Sequence, residues 1–275
     1  MKKACVIGYP IAHSRSPIIH NHWLKHYGLD GLYEKREVKP EALAYFLTNL
    51  KVEGYVGCNV TIPHKEAAIA SVAHIDEIVR KTGSLNTVYF EDGELCATST
   101  DGEGFYRNVQ AAFPDIQLAG KKAIVLGAGG AARAIIERLI RAGAEVRILN
   151  RTPARAQELA SLFGSQAKAI NLDRFVTESS NTALLVNTTS QGMKGQSGPE
   201  LELSALPKTA VVADIVYVPL KTNFLKQAEV HGLRTIGGLG MLLHQAVVGF
   251  EKWFGVRPEV TPELYQMVAN DVARG

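Results

Sequence analysis

The chain has 275 residues, a formal charge of +3, and 46% hydrophobic against 21% charged residues. These are ordinary values for a soluble globular protein, with length for one large domain or two ordinary ones. No apolar run reaches membrane-spanning length, and the N-terminal apolar stretch Ala4–Ile7 is broken by Gly8 and Pro10, so it does not read as a signal peptide.

Cys5, Cys58 and Cys96 are far apart, with no C-x-x-C, which fits free thiols in a reducing cytoplasm. The lysines and arginines are scattered, weak grounds for nucleic-acid binding and equally suited to a small anionic substrate. From the N-terminus, Ala4–Ile7 reads as a strand and Pro17–Tyr27 as a helix. Tyr33–Val38 and Tyr55–Ile62 read as strands, each followed by a helical stretch, Glu41–Leu50 and Lys65–Val72. Such alternation predicts crossover units and a mostly parallel sheet. Thr87–Phe90 and Leu95–Thr98 flank Asp92-Gly93, a hairpin signal. A domain boundary is expected near Asp101, after which GEGFYRNVQAAF reads as a helix ended by Pro114. Lys122–Leu126, Glu145–Leu149, Ala183–Asn187 and Ala210–Ile215 are further strands, Ala131–Ala142 a helix, and MLLHQAVVGFEKWF a last helix after a glycine-rich joint at Gly237–Gly240. The fold class expected is α/β in two domains.

The segment KAIVLGAGGAARA places G-x-G-x-x-A between a strand and a helix. Gly127 permits the tight turn, Gly129 the close approach of a pyrophosphate, and Ala132 close helix–strand packing, while the helix N-terminus supplies N–H groups. The alternative is a glycine turn that only packs a helix on a sheet. At the end of the next strand, where a carboxylate would favour NAD, stand Asn150, Arg151 and Thr152, with Arg155 following. The guanidinium offers a planar fork to a phosphate and points to NADP; an exposed arginine capping a strand is the other reading. Lys65 follows Pro63 and opens the predicted helix, an unfavourable place for a cation. Asp101 in STDGEGF is a partner that could form a proton-moving pair with it. Asp101 could equally be a helix N-cap and Lys65 a surface residue.

Taken together, GYPIAHSRSPIIHN, NVTIPHK, GSLNT, STDGEGF, GAGGAARA, NRT, NTTSQGM, ADIVY and GLGMLLHQA resemble, in order and spacing over nearly the full length, the shikimate dehydrogenases of the NADP-dependent biosynthetic type. The resemblance implies an N-terminal α/β substrate domain (1–101 plus 239–275), a Rossmann-type doubly wound NADP domain (102–238), and a cleft between them. It implies reversible reduction of 3-dehydroshikimate to shikimate, with Lys65 and Asp101 as the catalytic pair. Ser14 and Ser16 then hold the substrate carboxylate, which uncharged hydroxyl donors can satisfy, with Tyr217 nearby. Asn59, Thr61, Asn86 and Gln245 match positions that bond ring hydroxyls. The cofactor site comprises Gly127, Ala128, Gly129, Gly130, Ala131, Ala132, Asn150, Arg151, Thr152 and Arg155. Met193, Val216, Gly238 and Met241 line its nicotinamide end. By the same resemblance the protein is a cytoplasmic monomer or homodimer acting in aromatic amino-acid biosynthesis on a small-molecule substrate, with no nucleic acid, membrane or metal involved. A quinate/shikimate dehydrogenase using NAD and a non-catalytic NADP-binding sensor are the rival readings.

Three tempting features are set aside. Tyr217 and Lys221 fit Y-x-x-x-K, but Pro219 between them opposes a helix. His22 and His26 at i, i+4 spacing read as a solvated face rather than a metal site. Cys58 is expected to point away from Asn59 and Thr61, into the core. Glu103 is expected on an exposed helix turn.

Overall fold

In the computed structural model, which describes residues 1–193 and 196–274, the alternating segments form two six-stranded sheets. The chain divides into two units, one of Met1–Asp101 with Leu242–Val268, the other of Gly102–Met241 with the chain from Ala269.

The first unit contains β1 (Lys2–Gly8), α1 (Ser16–His26), β2 (Gly31–Glu37), α2 (Leu43–Thr48), β3 (Tyr55–Val60), β4 (His74–Ile75), α3 (Glu77–Thr82), β5 (Thr87–Glu91) and β6 (Glu94–Thr98). The strand order is β2-β1-β3-β5-β6-β4. β1 pairs parallel with β2 and β3, whereas β5 runs antiparallel to β3 and β6. The hairpin turns on Asp92 and Gly93, at φ of 52° and 86°, the left-handed pair that a two-residue turn requires. Strand alternation sorts the two faces. Cys5, Ile7, Cys58 and Val60 enter a core with Leu43, Phe46, Leu47 and Val79, so Cys58 is core, as expected. Tyr33 meets an aromatic group of His20, Trp253 and, through His20, Phe250. The buried residues of α1, Ser16, Ile19, His20, Trp23 and Leu24, recur at helical spacing.

One predicted element differs. Lys65–Val72 is not an α-helix but a turn followed by a 3₁₀ segment, Ala67–Ser71. The Lys65 carbonyl accepts from the Leu85 N–H at 3.0 Å, which ties this turn to the chain before β5. Lys65 therefore does not oppose a helix dipole.

The second unit runs α4 (Asp101–Ala112, its first residue belonging to the first unit), β7 (Lys122–Leu126), α5 (Gly130–Arg141), β8 (Glu145–Leu149), α6 (Pro153–Ser161), β9 (Ala167–Ile170), α7 (Phe175–Ser179), β10 (Thr182–Asn187), β11 (Val211–Asp214), α8 (Asn223–Val230), β12 (Arg234–Ile236) and into α9 (Leu239–Phe254); α10 (Pro262–Arg274) follows. Its sheet order is β12-β11-β10-β7-β8-β9, parallel throughout. In order of appearance this is 6-5-4-1-2-3, the doubly wound dinucleotide-binding arrangement, whose ligand site lies beyond the strands' carboxyl ends where the order reverses. Successive residues of β7 feed opposite cores: Ala123 and Val125 pack with Ile135 and Leu139 of α5, Ile124 and Leu126 with Phe175 and Phe224. Glu103 is not a solvated surface charge. Arg138 of α5 donates to it at 2.6 Å and Arg107 at 2.7 Å, so it ties α4 to α5, while Arg138 also stacks over Tyr106.

Candidate active site

The first polar group is assembled by strand ends of the first unit. β3 ends on Asn59 and Val60, β5 begins after Asn86, and Thr100 and Asp101 follow β6. Lys65 donates to Asp101 Oδ2, the two side chains being 22% and 10% exposed. Sequence alone leaves this pairing open; the fold makes it. Asn86 is buried behind the pair. Its Nδ2 stands 2.9 Å from Asp101 Oδ1, 2.9 Å from Thr100 Oγ1 and 3.3 Å from Gln245 Oε1. Two amide hydrogens face three acceptors, so one contact can be exchanged for a ligand hydroxyl. Gln245 is turned toward this group while its Nε2 donates to the Leu242 carbonyl at 3.0 Å.

Ser14 and Ser16 lie between β1 and the first turn of α1. Ser14 Oγ donates to Ser16 Oγ at 3.3 Å, and the Ser16 N–H meets Ser14 Oγ at 3.4 Å. The two hydroxyls are thus side by side, a geometry able to receive two oxygens of one carboxylate. Thr61 follows β3, half-buried, with its N–H on the Ile7 carbonyl at 2.9 Å. Asn59 differs from its neighbours. Tyr33 OH donates to its Oδ1 at 2.6 Å, and its Nδ2 donates to the Asn86 carbonyl at 3.1 Å and Thr87 Oγ1 at 3.2 Å, so both amide hydrogens are engaged within the protein.

The second group belongs wholly to the second unit. Gly127, at φ +110°, receives the turn after β7, and a Cβ there would lie 2.6 Å from Thr188 Oγ1. Gly129 caps α5 with no side-chain capping bond and with nothing within 4 Å of where its Cβ would stand. Gly130 and Ala131 begin α5, half-buried with Ala128, while Ala132 is buried against the sheet. Free helix-terminal N–H groups facing open space form a cradle for an anion. After β8, Asn150 Nδ2 donates to the Thr152 carbonyl at 2.9 Å, holding the turn that exposes Arg151, Thr152 and Arg155. No carboxylate stands in this turn, so the donor set fits a ribose phosphate rather than a free 2′-hydroxyl.

Two residues with no assigned role organise the remaining loops. Asn187, at the end of β10, accepts from the Thr189 N–H and hydroxyl at 3.1 and 2.7 Å and donates to the Gln191 carbonyl at 3.0 Å. It also donates to Asp214 Oδ1 at 3.0 Å, and Asp214 accepts from the Val216 N–H at 3.0 Å and the Thr222 hydroxyl at 2.7 Å. Burial pushes the Asp214 carboxyl up to about 6 against these hydrogen bonds. The pair shapes the loops bearing Met193, Val216 and Tyr217. Met193 is exposed, Tyr217 half-buried and Val216 buried. Tyr217–Lys221 is not helical, which disposes of the Y-x-x-x-K reading. Gly238 packs so tightly that a Cβ would lie 2.0 Å from the Ile215 carbonyl oxygen, and Met241 belongs to the core beside α5. The signal that could have found Asn187 and Asp214 is a polar residue ending an otherwise apolar buried strand.

His22 and His26 share one face of α1 with ring centroids 6.1 Å apart. Among the described residues no group of three or more metal-ligating side chains is found, and no helix is long and apolar enough to cross a membrane.

Comparison with known proteins follows the same division. The model of the shikimate dehydrogenase substrate binding domain matches residues 6–88. Those for shikimate/quinate 5-dehydrogenase and for the shikimate 5′-dehydrogenase C-terminal domain match 108–216 and 238–262. A shikimate dehydrogenase (NADP(+)) of Brucella abortus (strain S19) is 50% identical, over 99% of this chain and 96% of its own. Shikimate 5-dehydrogenase from Thermus thermophilus, solved in complex with NADP(H) and shikimate, superposes with a TM-score of 0.88 at 37% identity, covering 99% of this chain and 100% of that one. Quinate dehydrogenase from Corynebacterium glutamicum, solved with NAD, has the same TM-score at 26% identity, covering 98% and 99%.

Proposed function

The chain belongs to the shikimate dehydrogenase family, and on that premise we propose that it catalyses the reversible, NADP-dependent reduction of 3-dehydroshikimate to shikimate, a step of aromatic amino-acid biosynthesis. The observation that carries this reading is the Lys65–Asp101 pair closed through Asn86. Lys65 delivers a proton, or a charged hydrogen bond, to the ring oxygen as it gains negative charge. Asp101 aims the ammonium and accepts from a neighbouring ring hydroxyl. Asn86 exchanges one of its three acceptors for the substrate, and Thr61 and Gln245 complete the hydroxyl contacts. Ser14 and Ser16 hold the carboxylate with neutral donors, joined by Tyr217. Asn59, expected beside them as a hydroxyl-bonding residue, has both amide hydrogens engaged within the protein, so its role here is to support this wall.

NADPH, when bound, supplies the hydride. The residues fitted to hold it are Gly127–Ala132 for the pyrophosphate and Arg151, Thr152 and Arg155 for the ribose phosphate, with Asn150 fixing their turn. Met193, Val216, Gly238 and Met241 serve the nicotinamide end. Three buried cysteines with free thiols suit a reducing cytoplasm.

An initial-rate assay of shikimate and quinate, each with NADP and with NAD, tests the reading. Turnover mainly of shikimate with NADP is expected. Comparable rates with quinate or NAD would move the protein to the quinate/shikimate type, and no turnover from folded protein would leave a cofactor-binding sensor.

A further inference from the structure

The polar chain behind Lys65 and Asp101 continues deeper than any expected site residue. In the β2-β1-β3 order, Tyr33 stands opposite Ala4 and Asn59 opposite Val6. The Tyr33 phenol therefore crosses β1 to donate to Asn59 Oδ1. The Asn86 carbonyl, which can only accept, decides which way the Asn59 amide faces, and the Tyr33 donor then satisfies the buried oxygen on the other side. The two amide hydrogens of Asn59 go to the Asn86 carbonyl and to Thr87 Oγ1. Thr87 donates onward to Asn86 Oδ1 at 3.0 Å, which also takes the Thr100 N–H at 2.9 Å. With its oxygen so loaded, Asn86 can turn only Nδ2 toward Asp101 Oδ1, leaving Oδ2 for Lys65. Reversing Asn59 would set its oxygen against the Asn86 carbonyl oxygen, and reversing Asn86 would set its N–H₂ against the Thr100 N–H, both costly mismatches in a buried place.

Tyr33 is itself held. It is 1% exposed, its ring is stacked on His20 with centroids 4.0 Å apart and 13° between planes, and Trp253 lies 5.8 Å away. Burial lowers His20 to about 3, outweighing the opposing effect of Asn59, so the stacked imidazole is neutral through the physiological range. Burial likewise raises Tyr33 well above 10, with Ser16 opposing, so its hydroxyl keeps the proton it donates.

We propose that Tyr33 and Asn59 are positioning residues for the Lys65–Asp101 pair. Acting through Thr87 and Asn86, they fix the side of the Asn86 amide that meets Asp101, and Asn59 does so without touching substrate. This rests on the function proposed above, and wild-type turnover of shikimate with NADP tests that function separately.

The experiment compares Tyr33→Phe, Thr87→Val and their double variant in the full chain, with folded fraction followed by circular dichroism at the assay temperature. Tyr33→Phe keeps the stacked ring and removes only the donor. It is expected to lower kcat per folded molecule about tenfold, since small misplacements of reacting groups are costly, while KM for shikimate stays within about threefold. The double variant is expected to lose no more than about twofold beyond the worse single, because both act on Asn86. Three results would overturn the proposal: kcat for Tyr33→Phe within about twofold of wild type, a loss carried by KM instead, or losses that multiply in the double variant. If the double variant does not fold, the kcat–KM split of Tyr33→Phe decides alone.

Discussion

The two polar groups are built on opposite plans. In the first unit Asn86 and Asp101 are almost fully buried and already bonded to one another, to Lys65 and to Gln245. In the second, the cradle at Gly129 faces open space and Arg151, Thr152 and Arg155 are exposed. The first plan suits a small ring whose hydroxyls must be told apart, because buried donors and acceptors penalise a wrong partner heavily. The second suits a large anion held by backbone and exposed cations, where affinity comes from charge and yields to salt. Loss of one group should therefore damage turnover in the first region and affinity in the second.

Breaking the first plan gives the largest effect. Asp101→Asn places an N–H₂ against either Lys65 or Asn86, and kcat is expected to fall about 10²-fold or more, with KM for shikimate changing far less. Steady-state kinetics at saturating NADP checks it. Arg151→Ala probes the second plan. KM for NADP should rise about tenfold, KM for NAD should hardly move, and raised salt should narrow the difference between variant and wild type. Equal losses with both cofactors would place the 2′-phosphate elsewhere.

A smaller effect is expected at Asp214. Its carboxyl moves from 3.8 up to about 6 on folding. Its contribution to stability is therefore complete below 3.8 and is lost as pH rises through about 6. Asn at this position keeps the oxygen that meets Val216 and Asn187 and removes the titration. The stability of wild type relative to Asp214→Asn should fall by on the order of 2 kcal/mol between pH 4 and pH 7.5. Chemical denaturation at both pH values measures this, and a constant difference would contradict it.

Much of this is legible in the sequence, for identifiable reasons. β7, the glycine turn and α5 follow from local rules, since a strand, a positive-φ glycine and a helix N-terminus are adjacent in the chain. β9 and β12, of four and three residues, carry too few side chains for a period to show, and neither is evident before the fold is seen. In place of the helix expected at Lys65 stands a turn whose Lys65 carbonyl takes the N–H of Leu85, twenty positions away and invisible to propensity. α3 escapes the sequence reading although Asp76 caps it by accepting from the Val79 N–H at 2.9 Å. Its six residues hold less than two turns. Glu103 reads as solvent-facing until α5 brings Arg138 to it. Lys65 and Asp101 are legible as a candidate pair, but only the sheet shows them joined. The Tyr33–Asn59 bond depends on register across three strands, which no local pattern records.

On the proposed function, Lys65, aimed by Asp101, serves the chemical step rather than binding. The most direct measurement sets kcat of Lys65→Ala beside its dissociation constant for shikimate. A fall in kcat of about 10²-fold or more with affinity within about threefold is the predicted result. Turnover close to wild type, or a loss confined to affinity, would contradict it.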